Sequence, residues 1–169
     1  VTIRTDLPEL ADLLPTADVV DVKTVTGAVS LREFVAGALS SGPRWTQSVW
    51  AVRALFAKAL RLDMSGIPPR AQLRPEDISF TPGDPLSFFE VVRGEEDHYL
   101  LLKVTDNHLT GHLAVTTDNA SPTHEFKVVT LVHYRRTVGR VYFEVIRPFH
   151  HVIVRGMCRK GVRNSFPAA

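Results

Sequence analysis

Apolar residues at Val138, Val141, Tyr142, Val145, Ile146, Phe149, Val152, Ile153 and Met157 recur at the i, i+3, i+4, i+7 spacing of one helix face. The spacing predicts a helix over residues 138–160, with Arg140, Glu144, Arg147, His151 and Arg155 on the other side. Gly161 marks its C-terminal stop, and Arg159 and Lys160 suit the negative end of the helix dipole. Pro148 removes one backbone donor and crowds the carbonyl of Glu144, so a kink or a break is expected there. The stripe runs through Pro148 in register, which favours one kinked helix over two. A stripe of about six turns asks for a sheet to lie on.

Upstream the pattern changes several times. Residues 1–16 lack a period and read as an N-terminal arm. Ala17–Val25 reads as a strand, with Val20, Val22 and Thr24 on one face and Val19, Asp21, Lys23 and Val25 on the other. Ser30-Leu31-Arg32-Glu33 is a capping box that opens a short helix burying Leu31, Phe34, Val35, Ala38 and Leu39. Gly42-Pro43 starts a second helix, Arg44 to Leu62, which buries Trp45, Val49, Val52, Phe56 and Ala59. Asp63–Asp77, rich in Pro and Gly, reads as a connection.

Beyond it the period falls from 3.6 to 2. Leu86–Val92, His98–Val104, His108–Thr116 and Glu125–Tyr134 read as four strands, with Ile78–Phe80 a candidate for one more. Gly94–Asp97, Thr105–Asn107 and Asp118–Thr123 are the turns, short enough for an antiparallel meander. The third of these strands alternates most cleanly. It puts Leu109, Gly111, Leu113 and Val115 on one face, and His108, Thr110, His112 and Thr116 on the other. Strand, two helices, antiparallel strands and a long helix together fit an α+β fold of the helix-grip, START-like kind. In it a curved antiparallel sheet grips the C-terminal helix and the two short helices close the open end. A flatter sheet with three helices side by side is the alternative. The chain reads as one domain over 1–169, an arm at 1–16 and a core at 17–161.

Composition narrows the function. No apolar run reaches the eighteen or so residues of a membrane span. The first residues carry acids where a signal peptide has bases, although the chain begins at Val1 without Met, which leaves room for a removed leader. The single Cys158 forms no intramolecular disulfide, and a reducing cytoplasm is the simplest fit. The net charge of +2 hides an asymmetry, with residues 127–169 at +8 and residues 63–126 at −7. The bases punctuate an amphipathic helix with no stacking platform beside them. A basic helix face complementing an acidic sheet region is therefore expected, rather than a nucleic-acid groove.

The segment Thr130–Lys160 resembles the C-terminal signature of a bacterial family known as domain of unknown function 2867. The residues that carry the resemblance are Thr130 and Val132, then Gly139, Arg140 and Tyr142, then Pro148, Phe149 and His150. His108-Leu109 is similar to the family's His-Leu strand start, and Trp45 to Leu62 to its early helix. Arg136, Thr137 and Val138 stand where the family places an Asn before Gly-Arg. The resemblance covers about the last two-thirds of the chain. It implies a helix-grip-like domain, found in longer relatives behind nucleotide-binding oxidoreductase domains, and implies no activity.

Candidate chemistry is sparse. His108 and His112 have the spacing of two zinc ligands on a helix, but on a strand they stand about 13 Å apart. They are expected on the solvent face, and no metal or cofactor is implied. His150 borders the apolar stripe and could line a cavity as a donor or base, whereas His151 projects away from the core. Arg140 is expected to pair with Glu144 one turn on. Cys158 projects towards Arg155 and Arg159, which would lower its pKa. No phosphate loop, nucleophile elbow or carboxylate pair is present. The reading that follows is a binder of a small apolar or amphipathic molecule between sheet and terminal helix, at Tyr142, Phe149, His150, Trp50, Tyr134 and Gly111. The rivals are a non-catalytic module docking a partner protein or domain, or a second copy of the chain, and an enzyme using His150 as acid or base.

Overall fold

The computed structural model describes residues 8–40, 72–118 and 123–163. In chain order these form α1 (Pro8–Leu13), a 3-10 turn (Leu14–Thr16), β1 (Val19–Gly27) and α2 (Leu31–Leu39). A second 3-10 turn (Pro75–Asp77) precedes β2 (Pro85–Leu86), β3 (Phe89–Glu95), β4 (Tyr99–Thr105), β5 (Leu109–Asp118), β6 (His124–Tyr134) and α3 (Thr137–Arg163). The helix expected over Arg44–Leu62, with Trp45, Trp50 and Phe56, lies outside the described residues.

All six strands pair antiparallel in the order β1-β6-β5-β4-β3-β2, so the first strand lies beside the last. The architecture is α+β and helix-grip-like: a curved sheet with the long C-terminal helix against it. An irregularity between Val91 and Arg93 shifts the β3–β4 register, a device that bends a strand. The strand expected over Leu86–Val92 is in fact a tight hairpin. Ser87, at φ 59°, supplies the positive φ that a two-residue turn needs, and β2 and β3 part there. Ile78–Phe80 stays out of the sheet. The carbonyl of Ile78 instead accepts a hydrogen bond from Arg32 Nη1 at 2.5 Å, while the same guanidinium lies over the Phe80 ring and pairs with Glu96.

The sheet is covered on both faces, which explains the near-continuous apolar runs in β4 and β6. Inside, Leu100, Leu102, Leu113, Val115, Phe126 and Val128 meet Phe34 and Val35 of α2 and Val154 and Cys158 of α3. Phe34 stacks on Phe126 with ring centroids 4.3 Å apart. The capping box of α2 forms as read: Ser30 Oγ accepts from the Glu33 amide, and the Glu33 carboxylate accepts from the Ser30 amide. Outside, Leu101, Ala114, Val129 and Leu131 meet Leu10, with Leu13 and Leu14 beside it. The N-terminal arm is therefore partly helical and roofs this face. The expectation that His112 faces solvent is overturned, since only 8 % of it is exposed.

The helix α3 continues through Pro148 without a break. Pro148 and Glu144 are both exposed, so the carbonyl that loses its donor lies where water replaces it. The buried face differs from the expected one. Gly139, Tyr142, Phe143, Val154, Cys158 and Gly161 are buried, while Val141, Val145, Phe149 and Val152 are exposed. The helix is rolled by about 100°, one residue's worth, from the face with the most apolar side chains. Close approach decides this. A β-carbon on Gly139 would strike the backbone of His108, and one on Gly161 would strike Phe34 at 2.8 Å. Small residues at both ends select the face that sits down.

Candidate functional site

The two ends of the grip are packed differently. Where α2 closes it, Phe34, Leu102, Leu113, Val115, Val128, Val154 and Cys158 leave a void of only about 20 Å³. At the other end the wall opens into a cavity of about 190 Å³. β5 and β6 supply its floor through Leu109, Gly111, Leu113, Thr130 and Val132, and α3 its roof through Phe143, Ile146, Phe149, His150, Ile153 and Val154. Val104 and the hairpin residues Phe88 and Phe89 form a side wall. Phe88 and Phe89, with ring centroids 4.2 Å apart, and Phe149 are part-exposed and stand at the mouth.

Register explains the hollow. Gly111 pairs with Val104 on one side and Val132 on the other, so a position with no side chain sits among branched neighbours. A β-carbon there would meet Val104 Cγ1 at 3.2 Å and nothing else nearby. Leu113 pairs with Thr130, and Thr130 with Asp21, which puts all three on the inner face.

Of the residues expected at the site, the structure brings Gly111, Phe149 and His150 together on the cavity. Tyr142 is buried beneath the start of α3, edge-on to His108 at 5.1 Å between ring centroids, and does not line it. Tyr134 stands behind Phe143, whose ring lies 6.2 Å from it and 5.5 Å from His150. Trp50 lies outside the described residues. Phe149, expected in the core, has 41 % of its surface exposed.

Thr130 is a site residue that pattern reading passed over. It is 8 % exposed, and its hydroxyl has no hydrogen-bond partner among the described residues. His150 Nε2 is buried and likewise unpartnered. Burial holds the His150 imidazole neutral, its pKa pushed down to about 4, with Asp21 opposing that shift and His151 and Lys23 adding to it. The neighbouring His151 does not project away from the protein, as expected. Its Nδ1 lies 3.2 Å from Asp21 Oδ2, while Lys23 holds the other carboxylate oxygen. Burial pushes the Asp21 carboxyl up, but the hydrogen bond and charge of Lys23, with His151, more than offset it and leave its pKa lowered. The signal was in β1, where Asp21 and Lys23 share a face with Val19 and Val25 and so point at the helix.

Other expectations are corrected by burial. Cys158 lies in the core, 1 % exposed, and its pKa is raised to about 11 by burial rather than lowered by arginines. Glu144 pairs with Arg147 at 3.6 Å. His108 and His112 part company: His108 contacts Tyr142 on the inner side, and His112 packs on His133 across the outer face, ring centroids 5.4 Å apart. Among the described residues no three His, Cys, Asp or Glu side chains converge as a metal-ligand set, and no helix is long and apolar enough to cross a membrane.

A part-hollow grip with a polar pair set in an apolar wall defines a helix-grip-like protein with a cavity between sheet and helix. Residues 13–157 match a family described as a protein of unknown function (DUF2867), and the chain belongs to that family. No curated protein matches it. The match runs further towards the N-terminus than the segment that carried the resemblance. Of the residues behind that resemblance, Thr130, Val132, Phe149 and His150 line the cavity, while His108, Gly139 and Tyr142 make the joint that seats α3.

Proposed function

We propose that the protein binds a small apolar or amphipathic molecule in the cavity between the sheet and α3. One observation carries the reading. A space of about 190 Å³ stands next to an inner core that closes to about 20 Å³, so the hollow is local rather than a general looseness of packing. Catalysis has less behind it. The carboxylate that could orient a histidine, Asp21, engages His151, and His151 does not line the cavity.

The test is a thermal-shift and fluorescence screen with aromatic alcohols, polyketide-like compounds and fatty acids, run on wild type and on Gly111→Leu. Binding to wild type that is lost in a still-folded Gly111→Leu supports the reading. No shift with any compound sinks it. The rival, an interaction surface, has the exposed apolar row Val141, Val145, Phe149 and Val152 in its favour. It predicts self-association that Val145→Glu abolishes, which sedimentation would detect.

A further inference from the structure

We infer that the outer edge of β1 is a self-pairing surface: two copies of the chain join β1 to β1, antiparallel, about a two-fold axis at Val22, and make one continuous sheet. The inference stands independently of what fills the cavity. The two edges of the sheet are finished differently. At one, β2 is only two residues long, and a register irregularity between Val91 and Arg93 bends the strand behind it. Both are devices that keep an edge from pairing with another chain. At the other edge, β1 runs nine residues from Val19 to Gly27 in unbroken register with β6, without a proline. Among the described residues no strand pairs with its other side. Strands β4, β5 and β6 each contain several buried residues, whereas none of the nine in β1 is buried and Val20 is 43 % exposed. Such an edge presents a row of backbone donors and acceptors as a template for one more strand.

The sequence of β1 says which strand fits. Asp21 and Lys23 point inwards from the edge, and an inward charge keeps most strands away because it meets an apolar or like-charged neighbour. Faces match across an antiparallel seam of two identical strands only when the two-fold axis passes through a residue. An axis at Val22 sets Asp21 opposite Lys23 of the second copy and Lys23 opposite its Asp21, so each carboxylate lies between two ammonium groups. On the same inner face Val19 meets Val25. On the outer face Val22 meets its own counterpart, and Val20 meets Thr24. Opposite charges and branched side chains in directly opposed positions are the favourable cross-strand pairs. An axis at Asp21 or at Lys23 would set like charges face to face. An axis at Val20 or Thr24 would set both charged residues opposite uncharged ones. Within one copy Lys23 and His151 already hold Asp21 in place, so the seam forms without rearranging it. The seven opposed positions, 19 to 25, exchange about six to eight backbone hydrogen bonds in an isologous contact.

The test uses the full chain. Sedimentation between about 1 and 100 μM, where a small interface associates, should show a monomer–dimer equilibrium. Lys23→Glu sets two carboxylates face to face at both symmetric places and should weaken the dimer about tenfold or more. Val145→Glu, on the exposed row of α3, should leave it as it was. Cysteine substitution reads the register directly, since Cys158 is buried in the core and stays out of the reaction. In Val22→Cys the two thiols stand opposite, with β-carbons about 4.5–5.5 Å apart, and should join as a disulfide dimer under mild oxidation. In Val20→Cys, a more exposed site, the two are offset by four residues, about 13 Å, and should not join each other. Mixed with Thr24→Cys, however, Val20→Cys should form the mixed dimer. A chain that stays monomeric across the concentration range overturns the inference. So does a dimer in which the Val22→Cys thiols stay free, or one that Val145→Glu disrupts and Lys23→Glu spares, because association then runs through another face. Should Lys23→Glu not fold, the cysteine pairs still decide.

Discussion

The backbone carbonyl of His108 fills the space where a β-carbon of Gly139 would stand. The same oxygen accepts hydrogen bonds from the amides of Arg135, at 2.9 Å, and Arg136, at 3.3 Å, so the β4–β5 turn and the entry to α3 are joined at one atom. Asp106 fixes that turn by accepting from the amides of His108 and Leu109. Together with the contact of Gly161 on Phe34 at the far end, this joint sets how α3 lies over the sheet.

Gly139→Ala should therefore destabilise the fold by about 2–3 kcal/mol, the upper range for overpacking, because the atom met is backbone and cannot swing aside. The gain in helix propensity offsets only about 1 kcal/mol of strain. Gly111→Ala, which meets only Val104 Cγ1, should change stability by less than about 1 kcal/mol. Urea unfolding of both variants checks the contrast, and equal losses would refute it.

Phe34→Ala should cost about 3–5 kcal/mol, as truncation of a fully buried aromatic does. Phe149→Ala should cost roughly 1–2 kcal/mol, because that ring already stands partly in water at the cavity mouth. Denaturation midpoints in the reverse order would mean that α3 is rolled the other way.

Stability should fall with acid in a defined window. His150 and His112 both have pKa values pushed from 6.5 to about 4, burial being the largest cause in each, with His133 and Lys103 adding to the shift at His112. The unfolded chain then takes up protons first, so this stability is complete above about pH 6.5 and is lost as pH falls towards 4. The slope for each titrating histidine approaches about 1.4 kcal/mol per pH unit. Unfolding free energies measured from neutral pH downwards should show the slope, and His150→Gln should reduce it. A flat profile across that window would show both rings titrating normally.

Cys158 should be silent towards thiol reagents in the folded protein. With a pKa near about 11 and burial on all sides, roughly one thiol in a thousand is ionised at pH 8. Full labelling should appear only in denaturant. Rapid native labelling would expose the thiol and undo the packing of α3 on α2.

The meander from β3 to β6 was legible because turn residues punctuate runs with period 2, and α2 because its capping box is written in four consecutive residues; the pairing of β1 with β6 was not. The roll of α3 was not. Val141, Val145 and Val152 enlarge the apolar count on an arc that stays exposed, whereas Gly139 and Gly161 decide the contact and add nothing to such a count. Part of the cavity was legible too, since Gly111 among bulky neighbours signals space and His150 borders the stripe. Thr130 sits in the run Val128-Val129-Thr130-Leu131-Val132, where one hydroxyl among four apolar residues was the signal passed over. The pairing of Asp21 with His151 joins residues 130 apart in sequence, and no local pattern encodes it.

The hollow end of the grip has a thermodynamic consequence. Side chains around an empty space of this size forgo contacts worth on the order of several kcal/mol. A comparable domain with a filled core would hold that energy permanently. On the binding reading proposed above it is recovered as ligand is supplied, growing as RT ln(1 + [L]/Kd). On that reading the resistance of this protein to heat or protease is not a constant of the chain but a reading of how much suitable solute surrounds it.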